Sequence, residues 1–241
     1  MNQQYSRQLA HSLAAQVAER YKSADRMAWK WAEGKLRGDP LFMGVLRHGL
    51  IRDGEEVLDL GCGQGLLAAW LLNASEQYAM GSWGDTPFTP PYKLNLRGIE
   101  LFSADVARAH AALGHSADIR CGDICEEDFG EADVVIIMDV LHYVDHSAQE
   151  DVLRRAFTAL RPGGRLLLRV GDAHAGWGFR WSNWVDKAVV FARSRTLCKL
   201  WCRPMTEWVT LLETIGFTVK RLPMKERAEF ANVLLVAERR A

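Results

Sequence analysis

Apolar residues recur along this chain with two different periods. Between residues 6 and 37 they fall at helical spacing (Leu9, Leu13, Val17, then Met27 and Trp31), with few breakers before Gly34 and the Gly38-Asp39-Pro40 stop. That spacing predicts a helical N-terminal cap over residues 1–50. From Glu56 onward, short apolar runs alternate with helical patterns. Strands are predicted at 57–60, 97–101, 118–123, 133–140, 164–170, 217–222 and 232–238, and helices at 66–72, 104–113, 147–161 and 206–216. Ser147, with Glu150 three residues on, reads as a capping box for the third of these helices, and Thr206 as the cap of the fourth. The run 133–140 is apolar enough to be buried on both faces. Strands alternating with helices give an α/β fold with a doubly wound, parallel, seven-stranded sheet over residues 51–241. The last two strands follow one another with no helix between them, so they form a hairpin and the last strand runs antiparallel. Two segments interrupt the alternation, at about 73–96 (Gly- and Pro-rich) and 171–205 (rich in Trp, Arg and Lys), and such insertions commonly build lids over ligand crevices.

Composition narrows the class. In 241 residues, 49% are hydrophobic and 25% charged, the make-up of an ordered globular chain. Lys and Arg total 30 against 30 Asp and Glu, so there is no overall field to recruit nucleic acid, and no nucleic-acid partner is expected. The N-terminus lacks the layout of a secretory signal, and no apolar run approaches the ~18 residues of a membrane span. A cytoplasmic location is therefore expected. Five cysteines, including the pairs Cys121/Cys125 and Cys198/Cys202, read as reduced, packed thiols rather than zinc ligands, and no metal is expected.

The chemistry concentrates between the first strand and the first helix of the core. Val57-Leu58-Asp59-Leu60-Gly61-Cys62-Gly63-Gln64-Gly65 supplies glycines where a backbone must turn tightly and approach a ligand without side chains in the way. The pattern is G-x-G-x-G rather than the G-x-G-x-x-G of hydride-transfer dinucleotide sites, because Leu66 stands one place beyond an early third glycine. Preceded by Asp59, this segment resembles the first motif of the class I S-adenosylmethionine-dependent methyltransferases of small-molecule type. Other landmarks of that family follow in order: Glu100 in GIELFSADV, Asp123 in CGDIC, the run Ile137-Met138-Asp139-Val140-Leu141-His142-Tyr143, and the turn Arg161-Pro162-Gly163-Gly164.

The resemblance covers about residues 50–241 and implies a Rossmann-like fold with S-adenosyl-L-methionine as donor and S-adenosyl-L-homocysteine as product. It implies that Asp59, Gly61, Cys62, Gly63 and Gly65 line the donor, that Glu100 accepts the ribose hydroxyls with Leu101 beside it, and that Asp123 and Ile124 flank the adenine. Asp139 would complete that set. Caps of this family close over the donor, so Lys35 or Arg37 could pair with its methionyl carboxylate. One departure is the long stretch from Gly65 to Glu100.

Methyl transfer from a sulfonium is an in-line displacement that needs orientation and a dry pocket rather than a covalent intermediate. A hydroxyl acceptor would profit from a general base. His142 and Tyr143 past the fourth strand and His174 after the fifth are the candidate catalytic residues, with His174 the favoured base and Asp172 next in line. The place after the fourth strand reads Asp139-Val140-Leu141-His142 rather than a polar N/D-P-P motif, which favours a small, lipophilic or aromatic acceptor and O-methylation. Two alternatives stay open: a lipid acceptor at a membrane surface, and a non-catalytic scaffold that keeps the fold. Residues 177–203 carry Trp177, Trp181, Trp184 and Trp201 among six basic side chains and one Asp. This segment reads as an acceptor lid, as a peripheral membrane contact, or as a helix packed on the core.

Overall fold

Seven strands and seven α-helices are observed where the structure, a computed structural model, describes the chain: residues 3–84, 86–170, 200–223 and 233–240. The chain divides into two compact units, Met1–Glu127 and Asp128–Ala241.

In the first unit, α1 (Gln3–Arg20), α2 (Arg26–Gly38) and α3 (Leu41–Arg47) precede β1 (Glu56–Leu60), α4 (Leu66–Ala79), β2 (Asn95–Glu100), α5 (Ser103–Leu113) and β3 (Asp118–Cys121). The three strands are parallel in the order β3-β2-β1, with Leu60 beside Ile99 and Glu100 beside Cys121. The N-terminal cap is helical as expected, in three helices. Between α1 and α2 the chain passes through a 3₁₀ turn at Tyr21–Ser23, and Asp25 caps α2, its side chain accepting from the Ala28 amide at 2.7 Å. Such a cap is worth about 1 kcal/mol. On α2, Ala28, Ala32 and Leu36 turn inward at successive helical turns. Helix α4 runs to Ala79, seven residues beyond its predicted end, because Leu66–Leu71 is buried and the apolar face continues through Ala74. The first interruption thus starts near residue 80 instead of 73.

In the second unit, β4 (Ala132–Met138), α6 (His146–Ala159), β5 (Leu160–Val170), α7 (Met205–Ile215), β6 (Phe217–Leu222) and β7 (Val233–Arg239) follow. β4 and β5 are parallel, β7 inserts antiparallel between β5 and β6, and β6 pairs β7 antiparallel, giving the order β4-β5-β7-β6. The seven-stranded Rossmann-like class with an antiparallel last strand is the one the sequence predicts. As predicted, β4 is buried on both faces, Val134 through Ile137 being wholly enclosed.

Two caps differ from expectation. Asp145 caps α6, its carboxylate accepting from the Ala148 amide at 2.9 Å; Ser147 is the second residue of the helix and not its cap. Asp outranks a displaced Ser here because its residue adopts the extended backbone of a cap. Helix α7 starts at Met205 after Pro204, with no side-chain cap, so Thr206 is helical. Pro204 stands at the N-cap place outside the helical backbone region, and its carbonyl accepts from the Glu207 amide at 3.0 Å and the Trp208 amide at 3.2 Å. Among the described residues no helix is long and apolar enough to cross a membrane.

Candidate active site

The glycine loop follows directly from the end of β1. Gly61, Gly63 and Gly65 adopt φ of 75°, 56° and 74°, the left-handed region that other residues occupy at a cost. Gly65 has a second reason: a Cβ there would lie 2.7 Å from Leu113 Cδ1 and 3.5 Å from Ala109 Cβ on α5. A Cβ on Gly63 would meet nothing within 4 Å, so the loop presents open backbone at that point. Gly98 on β2 is filled from the other side, its missing Cβ replaced by Cys62 Sγ and Ile119 Cδ1.

Glu100 closes the loop from the neighbouring strand. The side chain is 6% exposed, its Oε2 accepts from the Gly63 amide at 2.8 Å and its Oε1 from the Phe102 amide at 2.9 Å. Both oxygens are thereby fixed by backbone donors, which presents a carboxylate of set orientation. Leu101, next in sequence, is 57% exposed, and Gly122 donates to the Glu100 carbonyl at 3.0 Å, which brings the β3 turn alongside. In that turn Asp123 Oδ1 accepts from the Cys125 amide at 2.8 Å, while Ile124 is buried. Asp59 is half-buried on β1, and enclosure by protein together with the Glu100 carboxylate raises its carboxyl to about 7. Burial, with Asp59 and Glu100 adding to it, pushes the Cys62 thiol up, so it is a neutral packing group rather than a nucleophile. All of these groups stand at the carboxyl ends of parallel strands, where open α/β sheets bind ligands.

The residues fit a nucleoside-bearing donor on two counts. The loop keeps backbone clear where a ligand would lie, and the carboxylate ending β2 is preset for a vicinal diol. Lys35 is engaged within the cap: its ammonium lies 3.0 Å from Asp39 Oδ2, and Asp39 Oδ1 accepts from the Leu41 amide at 3.0 Å. Arg37 pairs with Glu33 at 3.2 Å.

In the second unit, His142 and Tyr143 sit in a 3₁₀ turn after β4, their rings 4.1 Å apart between centroids. Asp139 takes a φ of 59°, a left-handed conformation for a non-glycine residue. It is held there by Arg169 of β5, whose Nε lies 2.9 Å from Oδ1 and whose Nη2 binds Oδ2. Arg169 is 3% exposed, and sequence reasoning missed it, although an arginine within the apolar run GRLLLRV had to find a buried partner. Also missed was Gln149, fully buried, whose Nε2 shares its two hydrogens among the carbonyls of Leu141, Val144 and Trp201 and whose Oε1 accepts from Arg203 Nε at 2.8 Å. The Trp201 amide donates to the His142 carbonyl at 2.8 Å. His174, Asp172 and the segment 177–199, Cys198 included, lie outside the described residues.

Comparison with known proteins places this geometry in a family. A family profile described as "Methyltransferase domain" matches residues 28–222. Carboxy-S-adenosyl-L-methionine synthase of Chromohalobacter salexigens is 30% identical over 131 residues, 52% of this chain and 43% of that protein. A ubiquinone biosynthesis O-methyltransferase of Albidiferax ferrireducens is 29% identical over 169 residues, 65% of this chain and 59% of that one. The chain thus spans about half the length of the curated relatives it matches. Among solved structures, the pyocyanin biosynthetic protein PhzM shares the fold with a TM-score of 0.60 at 18% identity, covering 91% of this chain and 61% of its own. Mitomycin 7-O-methyltransferase MmcR gives 0.58 at 23%, covering 91% and 59%. With glycine loop, strand-end carboxylate, sheet order and sequence match in agreement, the chain belongs to the class I S-adenosylmethionine-dependent methyltransferase family.

Proposed function

We propose that this chain transfers a methyl group from S-adenosyl-L-methionine to a hydroxyl of a small or medium, lipophilic or aromatic acceptor. The observation that carries the donor half is the Glu100 carboxylate, fixed on the Gly63 amide at 2.8 Å beside a loop of three left-handed glycines. In this reading the glycine loop takes the donor against its backbone, Glu100 accepts the ribose hydroxyls, and Asp123, Ile124 and Leu101 surround the adenine. Bound there, the sulfonium supplies an electrophilic methyl group. The protein's own task is then to orient the acceptor and exclude water. His142, Tyr143 and His174 remain the candidates to contact the acceptor or take its proton, and 177–203 the candidate lid or membrane contact. Two relatives named as ubiquinone biosynthesis and mitomycin O-methyltransferases support oxygen as the acceptor atom.

Calorimetric titration with S-adenosylhomocysteine tests the donor half. Micromolar binding is expected, weakened about tenfold or more, 1.4 kcal/mol, by Glu100→Gln; no binding by the wild type overturns the reading and favours a scaffold. For the acceptor half, methyl-labelled donor is offered with hydroxylated aromatics, with matched amines and with vesicles. Label appearing in ethers supports the proposal. Label confined to amines or to vesicle lipid overturns it.

A further inference from the structure

The glycine loop is held from a side that the family motif does not describe. Tyr21 is fully buried in the 3₁₀ turn between α1 and α2, and its hydroxyl donates to the Gln64 carbonyl at 2.9 Å. Gln64, 4% exposed between Gly63 and Gly65, sends its own Nε2 back to the Ala28 carbonyl on α2 at 3.2 Å. One loop residue is thus tied to the cap twice, once through its backbone and once through its side chain. The other side of the turn is anchored as well: Asp25 meets Arg108 Nε of α5 at 2.8 Å, and Ser23 Oγ donates to the Ala111 carbonyl at 3.2 Å. Helix α5 in turn closes on the loop, Leu113 and Ala109 filling the space a Gly65 side chain would need. Cap, α5 and loop form a closed circuit of contacts, and Gln64 is where the cap enters it. Burial matters here, because a carbonyl deprived of its partner away from water must find another by moving.

We infer that Tyr21 and Gln64 are positioning residues for the methyl donor: through them the α1–α2 junction sets the conformation of the glycine loop, so donor affinity depends on the N-terminal cap. This rests on the glycine loop being the donor site. Tyr21 touches no ligand in this scheme. Its role is to keep the Gln64 peptide, and with it the flanking Gly63 and Gly65 amides, in the binding geometry.

The test is the S-adenosylhomocysteine Kd of five proteins, with thermal unfolding of each in the absence of ligand: wild type, Tyr21→Phe, Gln64→Met, the double variant of these two, and Gln16→Ala. Gln16 provides the comparison, because its Oε1 accepts from Asn73 Nδ2 at 3.0 Å and so joins the cap to α4 away from the loop. Expected are Kd values raised about tenfold in Tyr21→Phe and Gln64→Met, with the double variant less than additive, and an unchanged Kd in Gln16→Ala even where its unfolding temperature falls. A purely structural cap would move unfolding temperature and leave Kd alone in all four variants. Folded Tyr21→Phe and Gln64→Met binding as tightly as wild type would overturn the inference, and should Tyr21→Phe not fold, Gln64→Met alone decides. Failure of the wild type to bind would instead remove the donor site on which the inference stands.

Discussion

Asp59 shows how much one carboxyl can say about the site. Its folded value near 7 lies above the 3.8 of an unstrained aspartate, so the folded chain holds this proton more tightly than the unfolded one. The stability it contributes is complete below about pH 4 and is lost as pH rises through 7. Asp59→Asn removes that dependence. Expected is a variant matching wild type near pH 4 and more stable by about 1–3 kcal/mol at pH 8, measured by urea unfolding across the range; parallel pH profiles for the two proteins would show that Asp59 is not the group responsible. At this scale the motif residues were legible because each favours a particular residue type: glycine takes the three left-handed positions without strain, and a carboxylate offers one oxygen to each of two backbone amides, as Glu100 does. Tyr21, Gln64, Gln149 and Arg169 were not legible as partners, because what each does depends on a neighbour far along the chain.

Elements were read well where the apolar period was long and poorly where a polar side chain decided an end. β4 announced itself by an unbroken apolar run, whereas the breaks at Asp25 and Asp145 depend on which of several polar residues wins the cap. The link between the β4–α6 turn and the chain entering α7 left no local signature at all. It is made by Gln149, whose Nε2 lies 2.7–3.0 Å from three carbonyls, and by Arg203, which adds the His146 carbonyl, Glu150 Oε1 at 3.0 Å and the face of Trp208. Replacing Gln149 by Leu keeps the volume and leaves buried acceptors without a donor, so a loss of about 2–4 kcal/mol is expected in urea unfolding. Arg203→Met keeps an apolar stem and gives up the solvent-reached His146 and Glu150 acceptors, but it leaves Gln149 Oε1 without its donor, so it should lose about 1–2 kcal/mol, less than Gln149→Leu. Equal losses, or a Gln149→Leu change within 0.5 kcal/mol, would mean that packing rather than this network holds the turn.

At the scale of the whole chain, balanced charge and an ordinary apolar fraction excluded classes without choosing one, and strand–helix alternation chose the fold. What alternation could not convey is how deeply the cap is integrated with the donor loop, since that integration consists of hydrogen bonds between residues 36 and 43 positions apart. Gly61, Cys62, Gly63 and Glu100 are held by hydrogen bonds of similar sequence separation, and a ligand that binds only the folded chain stabilises it by mass action. At a hundredfold excess over Kd, S-adenosylhomocysteine adds about 2.7 kcal/mol to unfolding, which for a chain of this size raises Tm by roughly 5–10 °C. Glu100→Gln and Tyr21→Phe, each tenfold weaker in Kd, should show about half that rise at the same ligand concentration, because a tenfold loss subtracts 1.4 kcal/mol. A wild-type Tm that does not respond to the ligand would remove the donor site. A full rise in Tyr21→Phe would leave the donor site standing and release it from the cap.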